Sequence, residues 1–345
     1  MKFLKVPAGA AAHCVLAHNV FDERGNRILR KGVLLTAQHG ELLLKHGRFE
    51  IYVARLEAND LNENEAARRV AAVVAGDGVF SPGAATGRAN LKATAPGLLR
   101  INIDAVNHLN EIDDGITVAT LPAFSVVRAK QMVATVKIIP FAVPQAAVEI
   151  IETFCRNCPL IIRVQALPPR RVGVIVSAHQ HRGDENQHER IAAEFTPALQ
   201  TRLEKLGSAI AQKNFAEHEP VEMAQAIRAQ LTADCEMVLI VSMTAIIDRH
   251  DVVPAAIEMS GGIVEHFGVP VDPGNLLLVG YHGATPIIGV PGCARSPKIN
   301  AFDLVLPRLL AGDRLTRRDL VRLGHGGLLE EIRERHLLRE AMEHL

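Results

Sequence analysis

Apolar runs and amphipathic stretches alternate through the second half of the chain. Residues 172–177 and 237–241 are as apolar as buried strands, and residues 208–214 form a third candidate strand. Between them, residues 189–206 and 220–231 place apolar side chains at helical spacing. Strands that alternate with helices form parallel sheets covered on both faces. This pattern therefore predicts an α/β fold with a three-layer, mostly parallel sheet.

The first half of the chain predicts a different, β-rich α+β region made of short elements. Residues 78–93 are rich in Gly, Ala, Ser and Thr and are interpreted as a loop, whereas residues 118–143 hold two extended runs. Amphipathic stretches predict helices at residues 37–45, 63–74 and 144–158.

Changes in composition along the chain predict where its domains begin and end. Pro168-Pro169 follows the β-rich region and is a natural boundary. The resulting domains are an accessory β-rich domain at residues 1–165, an α/β domain at 166–313 and a helical tail at 314–345. In the tail, Glu331 and Arg335 have the i, i+4 spacing of an ion pair on a solvated helix.

Composition excludes several classes of function for the 345-residue chain. Its formal net charge is zero, only 4% of residues are aromatic and Trp is absent, which argues against nucleic-acid binding. No apolar run reaches the ~18–20 residues that a membrane-spanning helix needs. The first residues lack the apolar core of a signal peptide. We therefore expect a cytoplasmic protein without nucleic-acid or membrane partners.

Two groups of residues suggest metal or redox chemistry, and each has a simpler interpretation. Cys155 and Cys158 form a CxxC motif, but a zinc site needs two more ligands and a redox site needs an electropositive helix start. We interpret them as reduced thiols near a helix end. His179, His181 and Asp184 are either a metal cluster or a solvated loop, and we favour the loop.

Polar residues follow the predicted strand at residues 237–241, where α/β folds place their sites. Asp248 and Asp251 are three residues apart at a predicted helix start. They could hold Mg²⁺ beside phosphates, they could position an attacking oxygen, or they could cap the helix. The hydroxyls of Ser242 and Thr244 could bind phosphate oxygens or stabilise a turn.

A second group of candidate binding residues lies around the predicted strand at residues 276–279. The glycines there permit close approach of the backbone to a ligand, and arginine supplies a cation, although tight turns are the alternative. The candidates are Gly274, Asn275, Gly289, Pro291, Gly292, Arg295 and Ser296.

The order and spacing of these pieces resemble the molybdopterin-binding (MogA/MoeA-like) family of molybdenum cofactor biosynthesis over residues 170–312. Asp251-Val-Val-Pro254 matches that family's Asp-Val/Leu-X-Pro motif, and Thr244 matches the threonine of its Gly-Gly-Thr loop. Three blocks in the first half resemble a divergent bacterial subgroup: residues 86–91, 117–122 and 133–143.

The sequence departs from the family pattern at several positions. Ser242 and Met243 replace the two glycines, and Asn275 replaces the lysine of Pro-Gly-Lys-Pro. Cys293 replaces an asparagine, and His218 stands where adenylylating relatives have an aspartate. Losing the lysine removes a phosphate partner, so these changes affect catalysis more than the fold.

The resemblance implies two functions and leaves a third open. The first is an enzyme that adenylylates molybdopterin or inserts molybdate, with Mg²⁺ and ATP, using Asp251 and Asp248 as catalytic and metal residues. The second is a non-catalytic carrier or regulator of the molybdenum cofactor. The third is an unrelated α/β protein that binds another phosphorylated metabolite. The implied partners are molybdopterin, a second copy in a dimer or trimer, and molybdoenzymes or cofactor-assembly proteins.

Overall fold

The computed structural model describes residues 1–179, 186–242 and 244–329. The chain divides into two compact units, Met1–Ala166 and Leu167–Leu345. Each unit has hydrophobic clusters of its own. His181, Asp184, Met243 and the predicted pair of Glu331 with Arg335 lie outside the described residues.

The first unit is built from small antiparallel sheets. Its strands are β1 (Lys2–Pro7), β2 (Val15–Leu16), β3 (Val20–Phe21), β4 (Arg27–Leu29), β5 (Glu50–Arg55), β6 (Asp60–Asn62), β7 (Val79–Phe80), β8 (Ala84–Ala85), β9 (Arg88–Ala93), β10 (Gly97–Ile101), β11 (Ile116–Thr120), β12 (Val126–Val127), β13 (Met132–Ile138), β14 (Ala142–Pro144) and β15 (Ile162–Gln165). They pair in the orders β1-β5-β2, β3-β4, β12-β10-β15, β14-β6 and β11-β13-β9-β7, with β8 beside β9.

The helices of this unit pack against those sheets. They are α1 (Ala37–Lys45), α2 (Glu63–Val74), α3 (Ile103–Ile112) and α4 (Gln145–Asn157). Thr36 and Asn62 accept hydrogen bonds from the first turns of α1 and α2, which defines where both helices begin. The β-rich α+β region is thereby confirmed.

The interpretation of residues 78–93 as a loop is wrong. This segment contributes β7, β8 and β9, and β9 pairs with β13 across about forty residues of sequence. Small and polar residues give β9 a low intrinsic strand propensity, but its alternate residues Ala89, Leu91 and Ala93 are fully buried. Packing against the core therefore overrides local preference.

The second unit contains one six-stranded sheet. Its strands are β16 (Arg171–Ala178), β17 (Ala209–Glu217), β18 (Met237–Ser242), β19 (Ile263–Phe267), β20 (Leu278–His282) and β21 (Thr285–Gly289), in the order β17-β16-β18-β21-β20-β19. The first four in this order are mutually parallel, whereas β20 and β19 run antiparallel to their neighbours.

Helices cover both faces of this sheet. They are α5 (Gln187–Lys205), α6 (Pro220–Thr232), α7 (Val252–Met259), α8 (Ala301–Leu310) and the short α9 (Arg317–Val321). Helices α5 and α8 share one hydrophobic cluster with the sheet, and α6 and α7 share another on the opposite face. The predicted three-layer α/β fold with a mostly parallel sheet is confirmed.

The second group of candidate binding residues lies around two strands, whereas the sequence predicts one. The apolar run at residues 276–279 leads into β20, which reverses into β21, and β21 runs parallel to β18. Leu278 pairs with Gly289, so the start of β20 and the end of β21 lie at the same edge. The loop segments at residues 274–276 and 290–296 therefore meet at the carboxyl edge of the sheet.

Across the described stretches, no helix combines the length and apolar character needed to cross a bilayer.

Candidate functional site

Three strand ends bring hydroxyl and imidazole groups together at the carboxyl edge of the second unit's sheet. Ser177 lies near the end of β16, His218 follows β17, and Ser242 ends β18. The backbone N–H of His218 donates to the carbonyl of Ala178, at 3.0 Å, which holds the histidine against β16. Parallel strands end side by side, so residues far apart in sequence become neighbours here.

The imidazole of His218 is the centre of a hydrogen-bonded network. Its Nδ1 lies 2.9 Å from the Oγ of Ser177 and 3.3 Å from the Oγ of Ser242. Its Nε2 lies 2.8 Å from the Oγ1 of Thr244. The Ser242 Oγ also accepts the backbone N–H of Thr244 at 3.2 Å. The network fixes the start of the loop that follows β18.

The surroundings of His218 favour the neutral imidazole. The residue is 6% exposed. Burial lowers the pKa of His218, and the neighbouring His179 lowers it further, while Asp251 and Glu219 act in the opposite direction. The His179 ring stands edge-on to His218, with centroids 5.1 Å apart. Because desolvation is the dominant cause, the imidazole is held in its uncharged form.

A cavity of about 310 Å³ lies beside this network, at the lower end of the usual range for small-molecule pockets. The residues that line it come from α5, from the loop after β18, from the segment before β20 and from the loop after β21. They are Arg190, Ile191, Glu194, Phe195, Ser242, Thr244, Ala245, Ile246, Leu276, Val290, Pro291, Gly292 and Arg295. The lining of the cavity thus combines hydroxyl groups, backbone and cationic side chains with apolar side chains.

Arg295 and Glu194 form an ion pair in the lining of the cavity. The Nη1 of Arg295 donates to the Oε2 of Glu194 at 2.7 Å, and its Nε donates to the carbonyl of Gly292 at 3.0 Å. The guanidinium also lies over the Phe195 ring, 5.6 Å from its centroid. Both charged side chains are 53% exposed, so an incoming anion can reach Arg295.

Arg202 of α5 holds the loop after β21 in place. Its Nη1 donates to the carbonyl of Ala294 at 3.0 Å, and its Nη2 donates to the carbonyls of Ser296 and Lys298 at 2.9 and 3.1 Å. Its side chain also pairs with Asp303 in the first turn of α8. The loop that carries Gly292 and Arg295 is therefore held by hydrogen bonds from one buried guanidinium.

Asp248 and Asp251 are engaged in local hydrogen bonds. Asp251 caps α7, because its Oδ1 accepts the N–H of Val252 at 2.7 Å and its Oδ2 accepts that of Ile247 at 3.0 Å. Asp248 accepts from the backbone and ring of His250, and these bonds lower the pKa of its carboxyl. Neither aspartate lines the cavity.

The contacts of the two aspartates bear on the predicted Mg²⁺ site. Both oxygens of Asp251 already accept backbone N–H groups. In the part of the chain that the structure describes, no three His, Cys, Asp or Glu side chains are grouped so that they could hold a metal ion. Mg²⁺ beside phosphates needs only one or two protein carboxylates, so these contacts leave the Mg²⁺ site a prediction. Asp251 does cap the helix, as the simpler interpretation of the sequence expects.

The three candidate glycines differ in what surrounds them. A Cβ on Gly289 would lie 2.4 Å from the Cδ1 of Ile246, and one on Gly274, at φ +122°, would lie 2.7 Å from the backbone nitrogen of Ala301. These two glycines therefore allow close packing of the protein against itself. At Gly292 the nearest atom would be 3.9 Å away, so this position is open.

The remaining candidates lie near the cavity without lining it. Asn275 is exposed, and its carbonyl accepts the N–H of Val269 at 2.9 Å. The hydroxyl of Ser296 accepts the N–H of Lys298 at 3.2 Å. Of the sequence-derived binding candidates, the structure brings Ser242, Thr244, Pro291, Gly292 and Arg295 together around the cavity.

The CxxC motif lies at the carboxyl end of α4, as the simpler interpretation requires. Cys155 is buried and Cys158 follows the last helical residue. Burial raises the pKa of the Cys155 thiol to about 11. A helix carboxyl end disfavours a thiolate, so the geometry lacks the electropositive setting of a redox pair.

The sequence patterns do not identify the residues of α5 that shape the site. For Arg202, however, its position on the helix gives a signal. Arg202 is three residues after Leu199 and seven after Phe195, on the apolar stripe that α5 buries. Because a buried charge needs a partner, a charged residue on this stripe predicts an ion pair or hydrogen bonds at that position. The network around His218 has no comparable local signal, since its partners are 41, 24 and 26 residues away.

Comparison with known proteins gives structural likeness and no sequence match. No protein-family model matches the chain, and no curated protein matches it. The chain is similar to a molybdenum cofactor biosynthesis protein from Pyrococcus furiosus, at 13% identity and a TM-score of 0.25, with 93% of this chain and 65% of that one covered. It thus spans slightly less than two thirds of that protein.

Two further solved structures resemble the chain. One is the molybdopterin biosynthesis MoeA protein from Pyrococcus horikoshii, at 12% identity and a TM-score of 0.31, with 92% and 75% of the two chains covered. The other is the molybdopterin biosynthesis enzyme MoaB from Thermus thermophilus, at 16% identity and a TM-score of 0.29, with 42% and 98% covered. At these identities and scores, the likeness does not establish what this chain binds.

Proposed function

We propose that the second unit binds molybdopterin and serves molybdenum cofactor biosynthesis as a carrier or regulator, without chemistry of its own. The observation that supports binding is the cavity beside Thr244 and Arg295 at the carboxyl edge of the sheet. The phosphate of the ligand would meet the Thr244 hydroxyl, the backbone around Gly292 and the Arg295 guanidinium. The choice of molybdopterin rests on the motif resemblance around Thr244 and Asp251-Val-Val-Pro254.

The local contacts support binding more than turnover. The resemblance gives Asp251 a catalytic role, yet both of its carboxylate oxygens accept backbone N–H groups. Where adenylylating relatives have an aspartate, this chain has His218, which is buried and held neutral. Asn275 replaces a cationic phosphate partner. Mg²⁺, ATP and assembly into a dimer or trimer stay predictions.

The test is binding of molybdopterin by the purified protein, with and without Mg-ATP, beside two matched pairs of variants. Arg295→Ala is expected to weaken binding about tenfold, because it removes a charged hydrogen bond to phosphate. Arg317→Ala, an exposed arginine on α9, removes the same charge away from the cavity and is expected to leave binding unchanged. Asp251→Asn retains one of the two oxygens that accept backbone N–H groups at the start of α7, whereas Asp251→Ala removes both.

The outcomes separate the candidate functions. Binding without transfer of AMP, retained in Asp251→Asn, supports a carrier or regulator. AMP transfer that requires Mg²⁺ and disappears in both Asp251 variants would make the protein an enzyme and overturn the proposal. If molybdopterin does not bind at all, the functional assignment fails while the fold stands.

A further inference from the structure

We infer that His218 is a positioning residue that turns the Thr244 hydroxyl into a hydrogen-bond donor for an anionic group in the cavity. This inference rests on the proposed function, because it names how the same cavity would select a phosphate. His218 would act in the neutral form that carries its proton on Nε2. It would touch Thr244 and no ligand atom.

The first step is the hydroxyl of Ser177, which is fully buried. Within the described residues, the only group that this hydroxyl can bond with is Nδ1 of His218, at 2.9 Å. If Nδ1 carried the proton, Ser177 would accept it, and its own O–H would have no acceptor among the residues that the structure describes. A buried donor without a partner is costly. Nδ1 is therefore the acceptor, and the proton of the neutral ring lies on Nε2.

The second step follows from the neighbours of Thr244. With the proton on Nε2, the ring donates to the Oγ1 of Thr244 at 2.8 Å. Nδ1 has one lone pair, and Ser177 occupies it, so the Ser242 hydroxyl cannot donate there. In this arrangement the Ser242 hydroxyl donates instead to the second lone pair of the Thr244 Oγ1, 3.1 Å away. Both acceptor positions of Thr244 are then filled, so its own O–H is directed elsewhere. Thr244 is exposed and lines the cavity, so the O–H is available to a bound ligand.

As a consequence, the cavity would prefer ligands with an anionic hydrogen-bond acceptor at this position. A hydroxyl fixed as a donor favours an acceptor such as a phosphate oxygen, and a charged acceptor makes the stronger bond. In the opposite tautomer, Thr244 would donate to His218 and present lone pairs, which would repel a phosphate. The tautomer of the buried His218 ring thus determines whether the Thr244 hydroxyl presents a donor or an acceptor to the ligand, although the ring itself does not contact the ligand.

The tautomer can be measured without any ligand. Two-bond ¹H–¹⁵N spectra of the ¹⁵N-labelled full chain, with the His218 signals assigned by their loss in His218→Gln, report which ring nitrogen carries the proton. We expect Nε2–H near pH 7.5. Observation of the Nδ1–H tautomer, or of a ring protonated on both nitrogens at that pH, would overturn the inference whether or not molybdopterin binds.

The functional link is tested by coupling between the two residues. Thr244→Val keeps the shape, removes the hydroxyl and is expected to weaken molybdopterin binding about tenfold. His218→Leu is expected to do the same, and the double variant should bind no more weakly than either. His218→Gln, whose amide can donate to Thr244, should retain most of the binding.

Independent losses that multiply in the double variant would mean that His218 only supports the fold, and the inference would be wrong. Near-normal binding in a folded His218→Leu variant would also contradict it. If wild-type protein fails to bind molybdopterin, the proposed function falls, while the spectra still decide the tautomer.

Discussion

The guanidinium of Arg202 and the carboxylate of Asp303 form a two-point ion pair, with Nε–Oδ1 and Nη2–Oδ2 distances of 2.8 and 3.2 Å. Arg202 is 9% exposed, and it also donates to carbonyls of the loop that carries Arg295. Asp303 in turn accepts the backbone N–H of Asn300 and helps to cap α8. One side-chain pair therefore joins α5, α8 and a wall of the cavity.

We expect Arg202→Leu to lower the free energy of unfolding by about 3 kcal/mol, because it removes a 9% exposed guanidinium that pairs with the 25% exposed Asp303 and also bonds carbonyls of the loop after β21. Arg202→Lys should also be destabilising, since an ammonium group cannot reproduce the planar fork. Chemical denaturation monitored by circular dichroism measures both. The matched control is Arg295→Leu, whose ion pair is exposed and is expected to contribute about 1 kcal/mol or less. Equal losses in the two leucine variants would contradict this role for Arg202.

Local signals predict several helices of this chain but not α3 and α8, and they predict the long-range pairing of its strands poorly. The stretches at residues 37–45 and 63–74 coincide with α1 and α2, because Thr36 and Asn62 cap them within the local sequence. Strand β9 escapes prediction because its identity depends on pairing with β13, far along the chain. Pairing between distant segments has no signature in a short window of sequence.

In the candidate site, local sequence likewise identifies some residues but not the contacts between distant ones. Ser242, Thr244 and Arg295 can be selected from loops that follow apolar runs, because an α/β pattern already indicates where strands end. The pairing of Arg295 with Glu194, 101 residues earlier, requires the three-dimensional packing of α5. So does the meeting of Ser177 with His218, since it depends on β16 and β17 lying side by side.

Glu194 is expected to compete with an anionic ligand for Arg295. Its carboxylate occupies the guanidinium at 2.7 Å, so a phosphate that binds there must displace it. We expect Glu194→Gln to tighten molybdopterin binding by roughly two- to fivefold, the scale of an exposed ion pair. The difference should shrink as salt concentration rises, because exposed charges are screened. Titration calorimetry at two ionic strengths measures both effects.

Glu189→Gln is the control for Glu194→Gln. Glu189 lies in the first turn of the same helix and does not line the cavity, so the variant makes the same change in net charge away from Arg295. We expect it to leave the affinity unchanged. Weaker binding in Glu194→Gln would instead indicate that the glutamate holds Arg295 in the orientation that the ligand needs.

The last prediction concerns stability against pH. Burial, with a contribution from His179, holds the pKa of His218 below its ordinary value of about 6.5, against the opposing effects of Asp251 and Glu219. As pH falls below 6.5, the unfolded chain binds a proton at this position that the folded chain does not yet bind. The free energy of unfolding therefore decreases until pH reaches the folded-state pKa, and below it this contribution is constant.

We expect His218→Gln to reduce the loss of stability between pH 7.5 and 5, because glutamine does not titrate. His266, whose pKa burial also lowers, keeps its own contribution in both proteins. Denaturant unfolding at a series of pH values gives the slopes directly. Identical slopes for wild type and His218→Gln would show that the buried imidazole is not held neutral, and the tautomer argument for Thr244 would then lose its starting point.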